Sequence, residues 1–380
     1  MADGSGRRTG RDILRTGGGL LNLPLDIIAD ILSLLPIEDI LRCRSVCKTW
    51  YGLTKDSYFF KLQFRRTFYH MPRLMFISKS ENSVFLLDGK QCKAREIALP
   101  TVLGRNLIVM SSCNGLLCLA SEESPNPVII SNPITRKYIV LPESVNASYS
   151  FIQLVGLGYD PWNMKYKLVR SYIDNSKFTR FEIITLGEAS WRQLDVPCKV
   201  VCRRNSRPIY CEGALYWILD KKFHYDGDGC ILAFDLREEK FGMIALPPNI
   251  RMPTGNPGLY NGSLHLLNVA GCLTVIADEC QFLHIWQVMR NRDRGFSVRY
   301  HTSDMHCRWS VFSQPVLLDW CKDSLLLSVS KFGVYSERDL VEYFPERKQY
   351  AGHHIRGLPK WFRSCSFKPN LISPLDCCLS

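Results

Sequence analysis

The chain changes its hydrophobic rhythm once. In "LPLDIIADILSLLP", Ile27, Ile28, Ile31, Leu32 and Leu35 recur at i, i+1, i+4, i+5 and i+8, one stripe of an α-helix. Pro24 stands where a helix can begin, because its missing N–H is not needed in the first turn. Pro36 ends the run after Leu35. A second run comes next in "PIEDILRCRSVCKTWYGL", where Ile40, Cys43, Val46, Cys47 and Trp50 share a face. Glu38 and Asp39 lie where a helix N-terminus favours negative charge. The pattern predicts two or three short helices in about 40 residues, a size that rarely stabilises itself without staples or partners. The segment is nonetheless densely apolar, so part of its surface is expected to dock, either in cis on the remainder of the chain or on another protein.

From Leu74 onward the pattern turns to short β-rich runs separated by turn signals. One phrase recurs, as "CNGLLCLA" at 113, "CEGALYWIL" at 211 and "YNGSLHLLN" at 260. Gly115, Gly213 and Gly262 are then spaced by multiples of roughly 49 residues. Asn-Gly between apolar residues is a strong hairpin signal, because a type I′ turn needs two positive φ values. A second phrase closes each unit: "EIALP" to Pro100, "YIVLP" to Pro142, "QLDVP" to Pro197 and "MIALP" to Pro247. A β repeat of this length suggests four-stranded propeller blades, expected near 74–100, 107–142, 151–197, 207–247, 257–303 and 309–352. "SCSFKPNLISPL" is a candidate closing strand, and a split sandwich is the alternative arrangement. Asn132-Pro133 and Asp160-Pro161 read as turns, and Trp191 and Trp217 as core. Recognition by such a domain would come from loops, with "RSYIDNSKFTR", "LDKKFHYDGDGC" and "HTSDMHCRW" as the candidates.

Composition narrows the classes. No stretch approaches the roughly 20 uninterrupted apolar residues of a membrane span. The start, "MADGSGRRTGRDILRTGGG", lacks an apolar h-region and reads as a flexible tail rather than a secretory signal. The 16 cysteines, many inside apolar runs, then read as reduced core residues of a cytoplasmic or nuclear protein. The net charge of +12 is dispersed, with local excesses at 199–207, 290–299 and 347–368. It reads as a solvated face, or as steering toward an acidic or phosphorylated partner. No basic helix or aromatic-plus-basic motif speaks for nucleic acid.

The front segment resembles an F-box, without a gap, at Leu23, Pro24, Ile27, Ile31, Leu32, Leu35, Pro36, Ile40, Leu41, Arg44, Val46, Cys47, Lys48 and Trp50. The resemblance implies binding to the adaptor of SCF-type ubiquitin ligases, the S-phase-kinase-associated protein, and through it to a cullin. With Ile28 added from the helical stripe, the adaptor-binding candidates are Leu23, Pro24, Ile27, Ile28, Ile31, Leu32, Leu35, Pro36, Ile40, Leu41, Val46, Cys47 and Trp50. From about 111 to 290 the chain resembles the kelch-like F-box-associated domain of plant F-box proteins. "NPITRKYIVLP", "GLGYDPWNMKYKLVR", "FEIITLGEASWRQL", "ILAFDLREEKFGMIALP" and "LHIWQVM" carry this in order. The match weakens after 290, where "RGFSVRYHTS" lacks an expected tryptophan. The implied organisation is a tail over 1–21, a small all-α F-box of three short helices over 22–66, an all-β propeller-like domain over 74–352, and a closing strand and tail over 353–380.

Chemistry has little footing. The 8 histidines are scattered, and H-E-x-x-H, G-x-S-x-G and the P-loop pattern are absent. His301 and His306 with Cys307, or His353 with His354, could imitate metal ligands but read as loop residues, and "DGDG" at 226–229 lacks the rest of a calcium loop. The expectation is a non-catalytic receptor without a cofactor that holds a target protein for ubiquitination and degradation. The alternative is a kelch-like propeller enzyme or small-molecule sensor whose front helices pack in cis. One motif remains outside this account. "CCLS" has the form of a prenylation box with Cys377 as acceptor, and membrane contact would result only if that cysteine were lipidated.

Overall fold

The protein is described from a computed structural model covering residues 23–68, 73–78, 83–88, 93–100, 107–121, 126–144, 154–196, 200–202, 207–219, 230–245, 263–269, 271–279, 282–291, 295–303, 316–321, 324–330, 338–344, 347, 349–353, 355, 357–358 and 362–378. The chain divides into two units, Met1–Tyr69 and His70–Ser380.

The first unit is helical: α1 (Leu25–Ser33), α2 (Ile37–Cys43), α3 (Lys48–Leu53) and α4 (Ser57–Phe68). Pro24 and Pro36 each occupy the N-cap position, so the second proline both stops α1 and starts α2. Cys47 caps α3, its sulfur accepting the Trp50 N–H at 3.4 Å. The fourth helix goes beyond the three expected. Asp56 prepares its start by accepting the Tyr58 N–H at 2.7 Å. Arg66 ties α4 to α1, donating to the Asp30 carbonyl at 2.8 Å and to its carboxylate at 3.0 Å.

The second unit is all β. In chain order its strands are β1 (Arg73–Ser78), β2 (Ser83–Asp88), β3 (Lys93–Ala98), β4 (Ile108–Cys113), β5 (Leu116–Ala120), β6 (Ile129–Asn132), β7 (Lys137–Val140), β8 (Leu154–Asp160), β9 (Lys165–Ile173), β10 (Thr179–Thr185), β11 (Arg192–Leu194), β12 (Ile209–Cys211), β13 (Ala214–Ile218), β14 (Cys230–Asp235), β15 (Lys240–Ala245), β16 (Ser263–Val269), β17 (Cys272–Glu279), β18 (Phe282–Asn291), β19 (Gly295–Ser303), β20 (Val316–Cys321), β21 (Ser324–Ser330), β22 (Arg338–Phe344), β23 (Gln349–His353) and β24 (Phe362–Phe367). They form six four-stranded antiparallel sheets. Five are consecutive meanders; the remaining one joins β24 to β1–β2–β3. The first strand of each sheet packs on the first strand of the next, and β24 packs on both β20 and β4. The sheets thus close into a ring, a six-bladed propeller in which the final strand becomes the inner strand of the first blade.

Burial is set by that closure. The middle strands β5 and β13 are buried along their whole length, because neighbouring blades cover both faces. Val169, Phe181 and Ile183 of the third blade pack with Leu215, Trp217 and Phe234 of the fourth. Ile218 and Ile231 of the fourth pack with Leu266, Val275 and Trp286 of the fifth. The closing phrases end the outermost strands β3, β7, β11 and β15, whose residues are mostly exposed.

Turn chemistry matches the expected phrases at two of three places. Asn114 and Gly115 have φ of 43° and 78°, and Glu212 and Gly213 have 45° and 79°, the paired positive values of a type I′ hairpin. Asn261 and Gly262 lie outside the described residues, and β16, immediately after them, pairs with β17 across Gly271. Asn132 and Asp160 act as expected of turn residues. Asn132 accepts the N–H groups of Ile134 (2.9 Å) and Thr135 (3.3 Å), and Asp160 those of Trp162 (3.0 Å) and Asn163 (3.3 Å).

Candidate protein-docking surface

In the helical unit α1 has two apolar faces rather than one stripe. Ile28, Ala29 and Leu32 are buried, with Ile37 and Ile40 of α2 and Phe59 of α4. Ile27 and Ile31, one turn apart, face solvent, as do Leu23, Leu25, Leu34 and Leu35. Leu34 is 72% exposed and Val46 61%. Nine of the fifteen exposed large apolar or aromatic side chains among the described residues lie between Leu23 and Tyr58. The unit is therefore a small core carrying an uncovered apolar surface, the form expected of a protein-docking module.

The thirteen sequence candidates divide accordingly. Leu23, Pro24, Ile27, Ile31, Leu35, Pro36 and Val46 are exposed and can meet a partner as the unit stands. Leu41, Cys47 and Trp50 are half-buried. Ile28, Leu32 and Ile40 fill the interior and present no surface to a partner. Leu25 and Leu34 are exposed members that neither the helical stripe nor the F-box resemblance singles out. Arg44 also has a structural task, donating to the Thr54 carbonyl at 3.1 Å and hydroxyl at 3.3 Å and so tying the end of α2 to the end of α3.

In the propeller domain the three nominated loops share a rim. The β9–β10 and β13–β14 connections join second to third strands, and the β19–β20 connection leaves a fourth strand; the topology places these strand ends together. The opposite rim carries the first turns of successive blades. There Tyr166 Oη reaches the Asn114 carbonyl at 3.5 Å and Cys211 Sγ the Gly271 carbonyl at 3.0 Å. Of the nominated loops, residues 220–229 and 304–315 lie outside the described residues. The first is tightly built: Asp174 accepts from the N–H groups of Ser176 and Phe178 and from Arg180 Nε at 2.7 Å.

Among the described residues no three His, Cys, Asp or Glu side chains stand together as a metal site. The histidine groupings at 301–307 and 353–354 fall outside the described side chains. The ten cysteines whose side chains are described are all free thiols, with Cys113, Cys118, Cys202 and Cys211 buried. Cys377 is held rather than presented. It lies in a 3-10 turn, Asp376–Cys378, and its thiol donates to the Ser373 carbonyl at 3.4 Å. Burial, with the neighbouring Cys378 and Asp376, pushes that thiol up to about 12.

Comparison with known proteins agrees with this division. Residues 20–62 match the F-box domain, and residues 65–306 match the F-box associated beta propeller domain. The chain is 26% identical to the F-box protein At5g49610 of Arabidopsis thaliana, over 92% of this chain and 97% of that protein. It is 27% identical to the F-box protein At3g07870 of the same plant, over 96% of each. A putative F-box protein, At4g09190, is 31% identical over 65% of this chain and 64% of its own length. The uncovered apolar surface lies within the first match and the ring of blades begins within the second. The chain belongs to the F-box proteins that carry an F-box associated beta propeller domain.

Proposed function

We propose that the protein is the target-recognition subunit of an SCF-type ubiquitin ligase. The observation that carries this reading is the apolar surface of Leu23, Leu25, Ile27, Ile31, Leu34 and Leu35, left uncovered on a four-helix unit inside the F-box match. Fully burying a side chain of this class from full exposure contributes roughly 1.5–3 kcal/mol, and a partner covering these six part-exposed side chains gains a fraction of that from each. An F-box implies a partner of the S-phase-kinase-associated type, and through it a cullin. The propeller domain then holds a target protein close to a ubiquitin-charged enzyme. Its contribution is proximity, which turns a bimolecular transfer into an effectively intramolecular one. The protein supplies no catalytic group or cofactor in this scheme and works in the cytoplasm or nucleus. Co-expression with the adaptor and a cullin tests it. One stoichiometric complex is expected on size exclusion, and a chain that elutes free of both overturns the reading.

A further inference from the structure

Two turns of adjacent blades present a tryptophan, a methionine and an arginine to solvent. The β8–β9 turn carries Trp162 and Met164, 72% and 63% exposed. The β14–β15 turn carries Arg237, whose guanidinium carbon lies 4.6 Å from the centre of the Trp162 ring. Tryptophan, methionine and arginine are enriched at protein interfaces, and tryptophan and arginine dominate their energetic hot spots. Neither large apolar side chain is needed for the core, since both project from a turn.

Both turns are rigid before any partner arrives. Asp160 fixes the first, accepting the Trp162 and Asn163 N–H groups and the Asn163 amide at 2.7 Å. Met164 completes it at φ 54°. Asp235 fixes the second in the same way, accepting the N–H groups of Arg237 and Glu238 at 2.9 Å each. Glu239 completes it at φ 53°, its carboxylate held by Lys167 at 2.8 Å and Arg192 at 2.9 Å. A site ordered in advance loses little conformational entropy on binding.

The surrounding charge selects the partner. Lys165, Arg237 and Lys240 are exposed on these two turns. Glu239 is occupied by its two cations. Glu238 stands 3.7 Å from Arg237, an exposed pair of the kind worth little, so another carboxylate can replace it. Glu212 on the neighbouring β12–β13 turn, Glu188 after β10 and Asp376 in the C-terminal turn that meets Gly187 are further exposed acids on adjoining segments. On the two turns themselves exposed Lys165, Arg237 and Lys240 outnumber exposed Glu238, and the whole chain carries +12.

We propose that Trp162, Met164 and Arg237 anchor an acidic segment of the target protein. An apolar side chain of that segment lies against the indole and thioether, and a carboxylate pairs with Arg237. The inference rests on the receptor reading and names the chemistry of what the receptor holds. The test uses the full chain, immobilised by an N-terminal tag, and a phage library of random 12-residue peptides, counter-selected on Trp162→Ala. Peptides combining Asp or Glu with an aliphatic or aromatic residue are expected to be enriched, with at least tenfold weaker binding to Trp162→Ala. Trp162→Phe retains part of the binding. Arg237→Glu weakens the same peptides and favours versions with Lys in place of the acids. Equal thermal transitions for the variants establish that each is folded. Selected peptides that bind Trp162→Ala as well as wild type, or discriminating peptides that are basic, overturn the proposal. A wild-type chain that selects acidic peptides but takes up no adaptor supports the site and overturns the receptor reading instead.

Discussion

The Asn370 carboxamide fills the space that a side chain on residue 115 would need. A Cβ added to Gly115 would lie 2.6 Å from Asn370 Cγ and Oδ1. Asn370 itself donates to the Asn114 carbonyl, and Asn132 Nδ2 donates to the carbonyls of Asn370 (3.0 Å) and Ile372 (2.7 Å). The segment after β24 is thereby stitched to the β4–β5 and β6–β7 turns of the second blade. Gly115→Val is expected to lower stability by more than the roughly 1–2 kcal/mol of a left-handed backbone alone, since the clash adds to it. A double-mutant cycle with Asn370→Ala, read by denaturant unfolding, should return part of the loss. Strict additivity would contradict the contact.

Arg170 and Glu182 form an ion pair with no exposed side-chain surface on either partner. Ser144 donates to the second carboxylate oxygen at 2.8 Å, and the guanidinium lies 4.4 Å from the Trp191 ring centre. Arg170→Met leaves a buried carboxylate without its cation, held by the Ser144 hydroxyl, and should cost roughly 3–5 kcal/mol. Arg170→Met combined with Glu182→Leu should cost clearly less. Equal losses for the single and double variants would show that packing, not charge, sets the effect.

Glu239 gives the propeller domain an acid-sensitive contact. Burial pushes its carboxyl up, but the hydrogen bonds and charges of Lys167 and Arg192 outweigh this and hold it below its ordinary value. A carboxyl depressed by folding adds stability that is present above its unfolded pKa and lost as pH falls through the folded one. Melting temperature should fall as pH drops below the ordinary glutamate pKa, and less steeply in Glu239→Gln. Identical slopes would contradict the assignment.

The buried thiols should be silent in the folded protein. Burial pushes Cys118 and Cys202 up to about 12, despite hydrogen bonds to Ser111 and Thr179 respectively. Alkylation at neutral pH and then peptide mass analysis should label them only after denaturation. Cys377, equally raised and tied to Ser373, should be recovered without a prenyl group; a prenylated peptide would show that this turn opens in the cell.

Much of the architecture is legible in the sequence because it rests on local chemistry. The Asn114-Gly115 turn, the phrases that end outer strands and the helical spacing after Pro24 each have a short-range cause. The parts that stay hidden depend on tertiary partners. Ile27 and Ile28 are equally apolar neighbours, and only packing decides that the second goes inside. The first hairpin of the fifth blade turns at Gly271, which no Asn-Gly or Glu-Gly phrase marks in the sequence. Arg170 looks like a loop residue in "RSYIDNSKFTR", and nothing in that string announces Glu182 and Ser144 as its partners. Trp162 stands in the sequence only as part of a turn phrase, because exposure is not written there.

The central claim is that the exposed face of α1, not its buried face, binds the adaptor. The direct measurement is adaptor co-purification by Ile31→Asp in the full chain, alongside the thermal transition of the propeller domain. Ile31 is 37% exposed, so the substitution places a charge where an apolar partner would sit, and helix content by circular dichroism checks that the helical unit stays folded. The account predicts loss of the adaptor with the propeller transition unchanged, and the same loss in the Leu23→Ala, Pro24→Ala double variant. Adaptor recovery by Ile31→Asp at the wild-type level would contradict it.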